Sequence, residues 1–544
     1  MITLIGGEMA GFAEDRPPAG GALLGHLAAH LAGQLPAGTT VLVAGPHEPA
    51  LVGELAAHAS VTCLVRSETA AIELDRRGVD VLCGTLAKLP EPGRWDVVVA
   101  LDGLGRLCSA EGPQLDWVEC LQVVKRALRP GGTLLLAVEN ELGLHRLVDP
   151  ATATSAQTDD AWRPLGEFDD TKPGTPTRLA ARLAAEGLAV DWLGAAWPEP
   201  GRPTVIATPN ALRDGPVDAL AALTARAAAA AYANRSVLSD PRRLSAAAVR
   251  AGLGPELAAS WLVAAHLAPR PSAILTLPPV LLGDGPALID GPAPASGPAN
   301  DSSGPADNSA GPPNNSPAPA PGGRILELSP GPDGVWVRRL LRGPDGEGRS
   351  ALDGPLPRGR LVEELLIGAC LRHDLPVLRR LLAGWIAALP GVTADNVVVS
   401  GDTFSTLDPG VPASADPLRE LARTLLTGGY AHPWPAATDL RALTAILHGA
   451  AGLTGDVPAG PDGADPPQPD SRREHEEQLR ALNRRLADAA SRAQWYEREL
   501  AKRAEELRKA RVQISAFSGS FGYRFVKLGY GVARKARNRL RKRT

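Results

Sequence analysis

The chain has few of the residues that carry redox, metal or membrane-spanning roles. Among its 544 residues there are five cysteines and two methionines, and aromatics make up 4%. The cysteines, Cys63, Cys83, Cys108, Cys120 and Cys370, are scattered. No two stand at the short spacing of a zinc site or redox dithiol, so they read as small core hydrophobes and no metal site is expected. No stretch approaches the roughly 18 to 20 uninterrupted apolar residues of a spanning helix. The opening MITLIGGEMAGFAEDRPPAG lacks the basic start and long apolar run of a signal peptide, so the expectation is a cytoplasmic protein. A strong overall charge is missing too, the formal net being -3. That figure hides an uneven distribution: residues 513–544 hold nine Lys or Arg and no acid, leaving 48 basic against 60 acidic side chains in the rest. The carboxyl end is therefore chemically distinct.

What is present in quantity is alanine, glycine, proline and arginine, which blunts propensity and leaves apolar spacing to carry the reading. The length allows two or three domains. The organising stretch is residues 94–140, RWDVVVALDGLGRLCSAEGPQLDWVECLQVVKRALRPGGTLLLAVEN. Residues 95–101 form a nearly unbroken apolar run, as in a strand buried on both faces of a parallel sheet. Residues 113–128 carry Leu115, Val118, Leu121, Val124 and Leu128 at helical spacing. Arg129-Pro130-Gly131-Gly132 then stops the helix, and 133–138 read as a second strand. Upstream, helices over 21–35, 48–58 and 67–77 alternate with strands over 40–45, 61–65 and 79–83, the pattern of a doubly wound parallel sheet. A helix over 177–186 and strands over 189–193 and 204–207 complete seven strands. In such sheets ligands bind beyond the carboxyl ends of the strands, which places Asp102, Glu139 and Asn140 on the ligand rim.

The WDVVVALDGL strand and the helix-RPGG-strand turn resemble strands four and five of class I S-adenosylmethionine-dependent methyltransferases, over residues 20 to 210. The resemblance implies a Rossmann-like seven-stranded fold, S-adenosylmethionine as cofactor and a methyl acceptor. The family's grips for that cofactor are altered. Its glycine-rich loop after the first strand corresponds here to Val43-Ala44-Gly45-Pro46-His47-Glu48-Pro49, where only Gly45 remains. Val65, followed by Arg66, stands where the family has its ribose acid, and Thr85 where it has its adenine acid. Two readings follow. In one, the cofactor is held differently, with Gly45, Glu48, Glu68 and Asp102 lining its site; in the other, the fold persists without it, because loss of a charged acceptor for the ribose costs several kcal/mol.

Glu139-Asn140-Glu141-Leu142-Gly143-Leu144-His145 resembles an ENxLGL sequence of methyltransferase-like proteins encoded with glycosyltransferases for surface polysaccharides. It implies Glu139 and Asn140 on the acceptor side and His145 as a general base for a sugar hydroxyl or related acceptor. A plain surface histidine is the bland alternative.

Beyond residue 212 the expected order is a helical and α+β region over 213–289, including helix over 241–266. A Pro, Ala, Gly, Ser and Asn tract over 290–323 should be disordered. An α+β region over 324–457 follows. Within it, residues 395–409 read as a hairpin turning at Gly401-Asp402. They also resemble the segment of small-molecule kinases in which Asn and a second Asp hold magnesium. The catalytic HxD that should precede it is replaced by Leu389-Pro390-Gly391-Val392-Thr393, and no phosphate loop is evident. After a linker over 458–470, apolar seam positions repeat every 3.5 residues from Leu479 to Phe517, with Arg503 interrupting them. This predicts a coiled coil over 471–517 and a homodimer. The tail, 518–544, interleaves Phe521, Tyr523, Phe525, Val526, Leu528 and Tyr530 with basic residues. That suits an anionic membrane surface at the inner face of the plasma membrane better than nucleic acid. Two function classes remain: a methyltransferase-like enzyme of bacterial surface-glycan biosynthesis, or a non-catalytic scaffold that brings glycan enzymes to the membrane.

Overall fold

The computed structural model describes residues 1–9, 17–149 except 91, 110–111 and 114, and 169–268 except 234 and 236. It also describes 275, 277–284, 323–343 and 352–453, part of 489–513, and 521–540. Two compact units emerge, Met1–Pro467 and Gln468–Thr544.

The first unit is an α/β assembly around a mixed sheet. Its parallel part consists of β1 (Ile2–Gly6), β2 (Thr40–Ala44), β3 (Ser60–Val65), β4 (Asp80–Gly84), β5 (Trp95–Ala100) and β6 (Leu128–Glu139), in spatial order β1-β4-β3-β2-β5-β6. Helices α1 (Ala22–Gln34), α2 (Pro49–Ala56), α3 (Glu68–Arg76) and α4 (Trp117–Ala127) connect these strands. The central strands are apolar throughout because both faces are covered, with Leu42 and Val98 in one core and Val41, Val43 and Val99 in the other. Strand order reverses between β2 and β5, which makes the gap at their carboxyl ends the topological switch point where such sheets bind ligands. β1 is an addition to the expected set; it covers the edge of β4 in parallel.

The strand that closes the parallel half differs from expectation. After α5 (Leu144–Val148) and α6 (Pro176–Ala185), β7 (Leu188–Trp197) and β8 (Val205–Ala207) form as strands, but neither pairs with β6. The place between β6 and β7 is taken by β9 (Ser260–Leu267), antiparallel to both. It follows an excursion through α7 (Pro209–Asp214), α8 (Val217–Ala231), α9 (Pro241–Arg250) and α10 (Gly254–Leu257). The expected helix over 241–266 therefore breaks after Arg250, and from Ser260 onward the chain is strand. The reason is burial: SWLVAAHL is covered on every residue but the last, so it has no polar face to display a period of two. Trp261 is fully buried, and its indole N–H donates to the Pro255 carbonyl at 2.7 Å. Enclosing a side chain of that size stabilises by about 2–3 kcal/mol.

The sheet then continues through β10 (Val280–Gly283), β11 (Ile325–Pro330), β12 (Trp336–Arg342) and β13 (Gly354–Pro355), so that among the described residues it has thirteen strands where seven are expected. Residue 212 is thus not a sheet boundary, and strands from the expected middle regions belong to the same layer. Beyond it, β14 (Arg360–Leu361), β15 (Val397–Ser400) and β16 (Thr403–Thr406) form a small antiparallel sheet. It packs with α11 (Val362–Leu371), α12 (Leu375–Ala388), α13 (Pro417–Thr427) and α14 (Leu440–Ala450) around a third core. The hairpin turn at Gly401 is as expected, with φ at +61°.

The expected linker over 458–470 lies outside the described residues, as do, in the second unit, seam positions Leu479, Leu482, Leu486, Ala493, Ile514 and Phe517. The tract over 290–323 is described only at Gly323. Among described seam residues, Tyr496, Leu500 and Leu507 are helical and exposed. The tail contains α15 (Phe521–Leu540), with Val526, Leu528, Tyr530 and Val532 exposed. Among the described residues no helix is long and apolar enough to cross a membrane.

Candidate functional site

At the switch point the chain fills the gap with its own groups. Gly45 ends β2 with φ at +98°, a conformation only glycine adopts without strain. A Cβ there would lie 3.5 Å from that of Asp102, so the glycine faces a side chain of the next loop. Two residues on, His47 is 6% exposed and bridges the diverging strands. Its Nδ1 donates to the Gly45 carbonyl at 2.9 Å, and its Nε2 accepts the Leu101 backbone N–H at 3.0 Å. These bonds require the neutral ring with its proton on Nδ1. Burial holds the His47 pKa down to about 4; the Gly45 bond opposes that shift, and the Arg106 charge adds to it.

Two of the three acids expected to grip a cofactor, Asp102 and Glu48, are ion-paired within the chain. Asp102 pairs with Arg106, Oδ1 to Nη1 at 3.0 Å, with both side chains 8% exposed. Glu48 accepts the Gly21 backbone N–H at 2.9 Å at the start of α1 and is ion-paired with Arg202. Gly20 permits this approach, since a Cβ there would meet the Glu48 Cδ at 2.0 Å. Glu68 opens α3 beside Cys83, whose thiol is pushed up to about 11 by burial and then by the acidic charges of Glu68 and Glu8. Arg66, after the second expected cofactor position, turns inward and donates to the Cys108 carbonyl at 2.8 Å.

The chain ahead of α1 runs along the same edge. Met9 N–H donates to the Arg66 carbonyl at 2.9 Å, Ala19 N–H to Pro46 at 3.1 Å and Glu48 N–H to Ala19 at 2.8 Å. Arg106 also donates to the Pro17 carbonyl at 3.4 Å. These backbone groups are thus satisfied within the chain, and the described residues do not fit an adenosyl cofactor at the position the resemblance implies.

One strand over, between the ends of β5 and β6 and the start of α4, lies a cavity of about 310 Å³. Asp102, Cys108, Trp117, Cys120, Glu139 and Lys172 are among its lining residues. The first turn of α4 offers it few donors. Asp116 and Glu119 form a capping box, Asp169 accepts the Trp117 N–H at 2.6 Å, and Thr171 accepts that of Val118 at 3.3 Å. Glu139 is the one expected acceptor-side residue that reaches this cavity. It accepts from Arg146 Nη2 at 3.0 Å and faces His145 Nε2 at 3.1 Å.

His145 itself stands behind Glu139, 5% exposed and outside the cavity lining, so an acceptor hydroxyl would reach the carboxylate first. Gly143 makes room for the ring, a Cβ there falling 2.7 Å from the imidazole. Asn140 is a structural tie. Its amide nitrogen donates to the carbonyls of Glu256 at 2.6 Å and Ala258 at 2.8 Å, and its oxygen accepts the Leu142 N–H at 3.0 Å. These bonds fasten the end of β6 to the entry of β9, and with 1% exposure the side chain offers nothing to an acceptor.

The cysteine pair is what the sequence reading missed. Cys108 and Cys120, twelve residues apart at a spacing no motif describes, bring their sulfurs to 3.6 Å. In the hairpin over 395–409 Asn396 and Asp408 meet, with the Asn396 amide donating to the Asp408 carbonyl oxygen at 2.8 Å. The Asp408 carboxylate, however, is neutralised by a two-pronged Arg324 contact at 2.9 and 2.8 Å. Among the described residues no cluster of three or more His, Cys, Asp or Glu could hold a metal ion.

No family model and no curated protein matches the sequence. Solved structures similar to the chain include a 1,6-didemethyltoxoflavin-N1-methyltransferase from Burkholderia thailandensis, 15% identical over 45% of this chain and 78% of that one, with a TM-score of 0.24. A geranyl diphosphate methyltransferase in complex with S-adenosylmethionine is 15% identical over 45% of this chain and 85% of its own, at 0.28. A methyltransferase from Geobacter sulfurreducens is 18% identical over 47% and 95%, at 0.25. Scores this low leave activity to the geometry.

Proposed function

We propose that the chain is a scaffold of bacterial surface-glycan assembly, built on a methyltransferase-like sheet that binds no S-adenosylmethionine. The observation that carries the reading is the His47 bridge across the switch point, with Glu48 and Asp102 already held by Arg202 and Arg106. The glycan setting comes from the likeness of residues 139–145 to loops in proteins encoded with glycosyltransferases. In this reading the heptads pair two copies, and α15 lies on an anionic bilayer, each Lys or Arg near that surface adding about 1 kcal/mol. The alternative is methyl transfer to a sugar hydroxyl or related acceptor. The cavity beside Glu139 favours it, and there His145 would orient Glu139.

Calorimetric titration of the full chain with S-adenosylmethionine separates the two. The scaffold predicts no heat at high micromolar ligand, whereas saturable one-to-one binding overturns it. The full chain is required, because a fragment ending at residue 212 lacks β9 and bares β6 and β7. For the tail, deleting residues 513–544 should abolish sedimentation with phosphatidylglycerol vesicles; undiminished sedimentation refutes the membrane role.

A further inference from the structure

The cavity beside β5 has a feature that neither a methyl donor nor a scaffold requires. Cys108 and Cys120 both line it, their sulfurs 3.6 Å apart and both thiols free. Gly105 and Asp170, also in the lining, are exposed, so the cavity reaches the surface. The sulfurs need to close by about 1.5 Å to reach the roughly 2.05 Å of a disulfide bond. One partner is on the loop after β5 and the other on the first turns of α4, so the bond would tie two walls of the cavity together.

We propose that Cys108 and Cys120 are a redox-active dithiol that exchanges with small-molecule disulfides entering this cavity. Cys108 is the attacking group. The contact with the Cys120 sulfur, together with the Leu115 backbone and the Arg66 charge, holds Cys108 below the ordinary thiol value against its burial. The same contact holds Cys120 above that value, which keeps it protonated until the second step.

In the first step the Cys108 thiolate attacks one sulfur of the small disulfide, forming a mixed disulfide and expelling one thiolate. Cys120 then loses its proton to solvent and attacks the Cys108 sulfur, expelling the second thiolate. The dithiol gives up two electrons, the small disulfide takes them up, and two small thiols leave. The internal disulfide pins the 104–109 loop to α4 and narrows the cavity. This inference stands on the sulfur pair and the cavity, and holds whichever function the sheet serves.

The test uses the reduced full chain and excess 2-hydroxyethyl disulfide at pH 8. Two of the five thiols should be lost without added mass, a peptide linking Cys108 to Cys120 should be recovered, and dithiothreitol should restore all five. Cys63, Cys83 and Cys370, outside the cavity lining, should stay reduced. A Cys120→Ser chain should stop at one adduct on Cys108. Retention of all five thiols in the wild type, an adduct on Cys108 that never resolves, or linkage through Cys63, Cys83 or Cys370 overturns the proposal. The wild-type peptide map decides it even if the variant does not fold.

Discussion

On one side of β5 the chain closes the gap between diverging strands with His47 and the backbone around Ala19; on the other it leaves about 310 Å³ walled by Cys108, Cys120, Glu139 and the Asp102–Arg106 pair. The two places are one strand apart on the same edge, yet one is packed like a core and the other is a chamber. The sheet's topology explains neither state. Topology creates a concave edge wherever strand order reverses, and the side chains from the bordering loops decide whether anything else can enter. The loops that border the sheet edge, more than the strand order, therefore set what space is left there.

Two substitutions sharpen that contrast from opposite sides. The larger effect is expected from Asn140→Ala. It removes two hydrogen bonds that fasten the end of β6 to the entry of β9 and a third within the following turn, and should cost about 3 kcal/mol in chemical denaturation. The cavity wall carrying Glu139 should loosen while the His47 bridge persists. An unchanged denaturation midpoint would show that the β6–β9 pairing alone holds this wall.

His47→Gln acts on the closed side. At pH 7 it should cost about 1–2 kcal/mol, because glutamine cannot serve both Gly45 and Leu101 in the same geometry. The pH dependence carries the sharper signature. A His47 pKa depressed to about 4 from 6.5 means that the unfolded chain takes up a proton the native state refuses. The stabilisation is fully present above about pH 6.5 and is lost as pH falls toward 4, by about 3 kcal/mol. Wild type and variant should therefore cross in stability as the pH falls, the wild type becoming the less stable by about 1–2 kcal/mol near pH 4; parallel curves would mean that His47 is not held neutral. The smallest effect is expected on ligand binding. His47→Gln should still give no heat with S-adenosylmethionine, because Glu48 and Asp102 keep their arginine partners.

How far the sequence could be read depended on how each signal is encoded. The β5–α4–β6 unit was legible because an apolar strand, a helical stripe and a Pro-Gly-Gly stop are all local. β9 was not, since an alanine-rich run buried on both faces has the same pattern as a buried helix, and only its neighbours β6 and β7 make it a strand. Asn140 looked like a ligand contact from its place at a strand end. Its actual partners, Glu256 and Ala258, come from more than a hundred residues later. Cys108 and Cys120 carried no signal at all.

The sequence by itself determined the alternation of strands and helices through residue 139, the hairpin at Gly401 and the basic, aromatic character of the tail, because each follows from apolar spacing, turn residues or charge within a short window. Tertiary structure alone decided which strand fills the gap beside β6, which acids are spent on Arg106 and Arg202, and that two distant thiols meet over a cavity. Those outcomes depend on which surfaces end up buried together, and burial sets both the cost of an unpaired polar group and the partners within its reach.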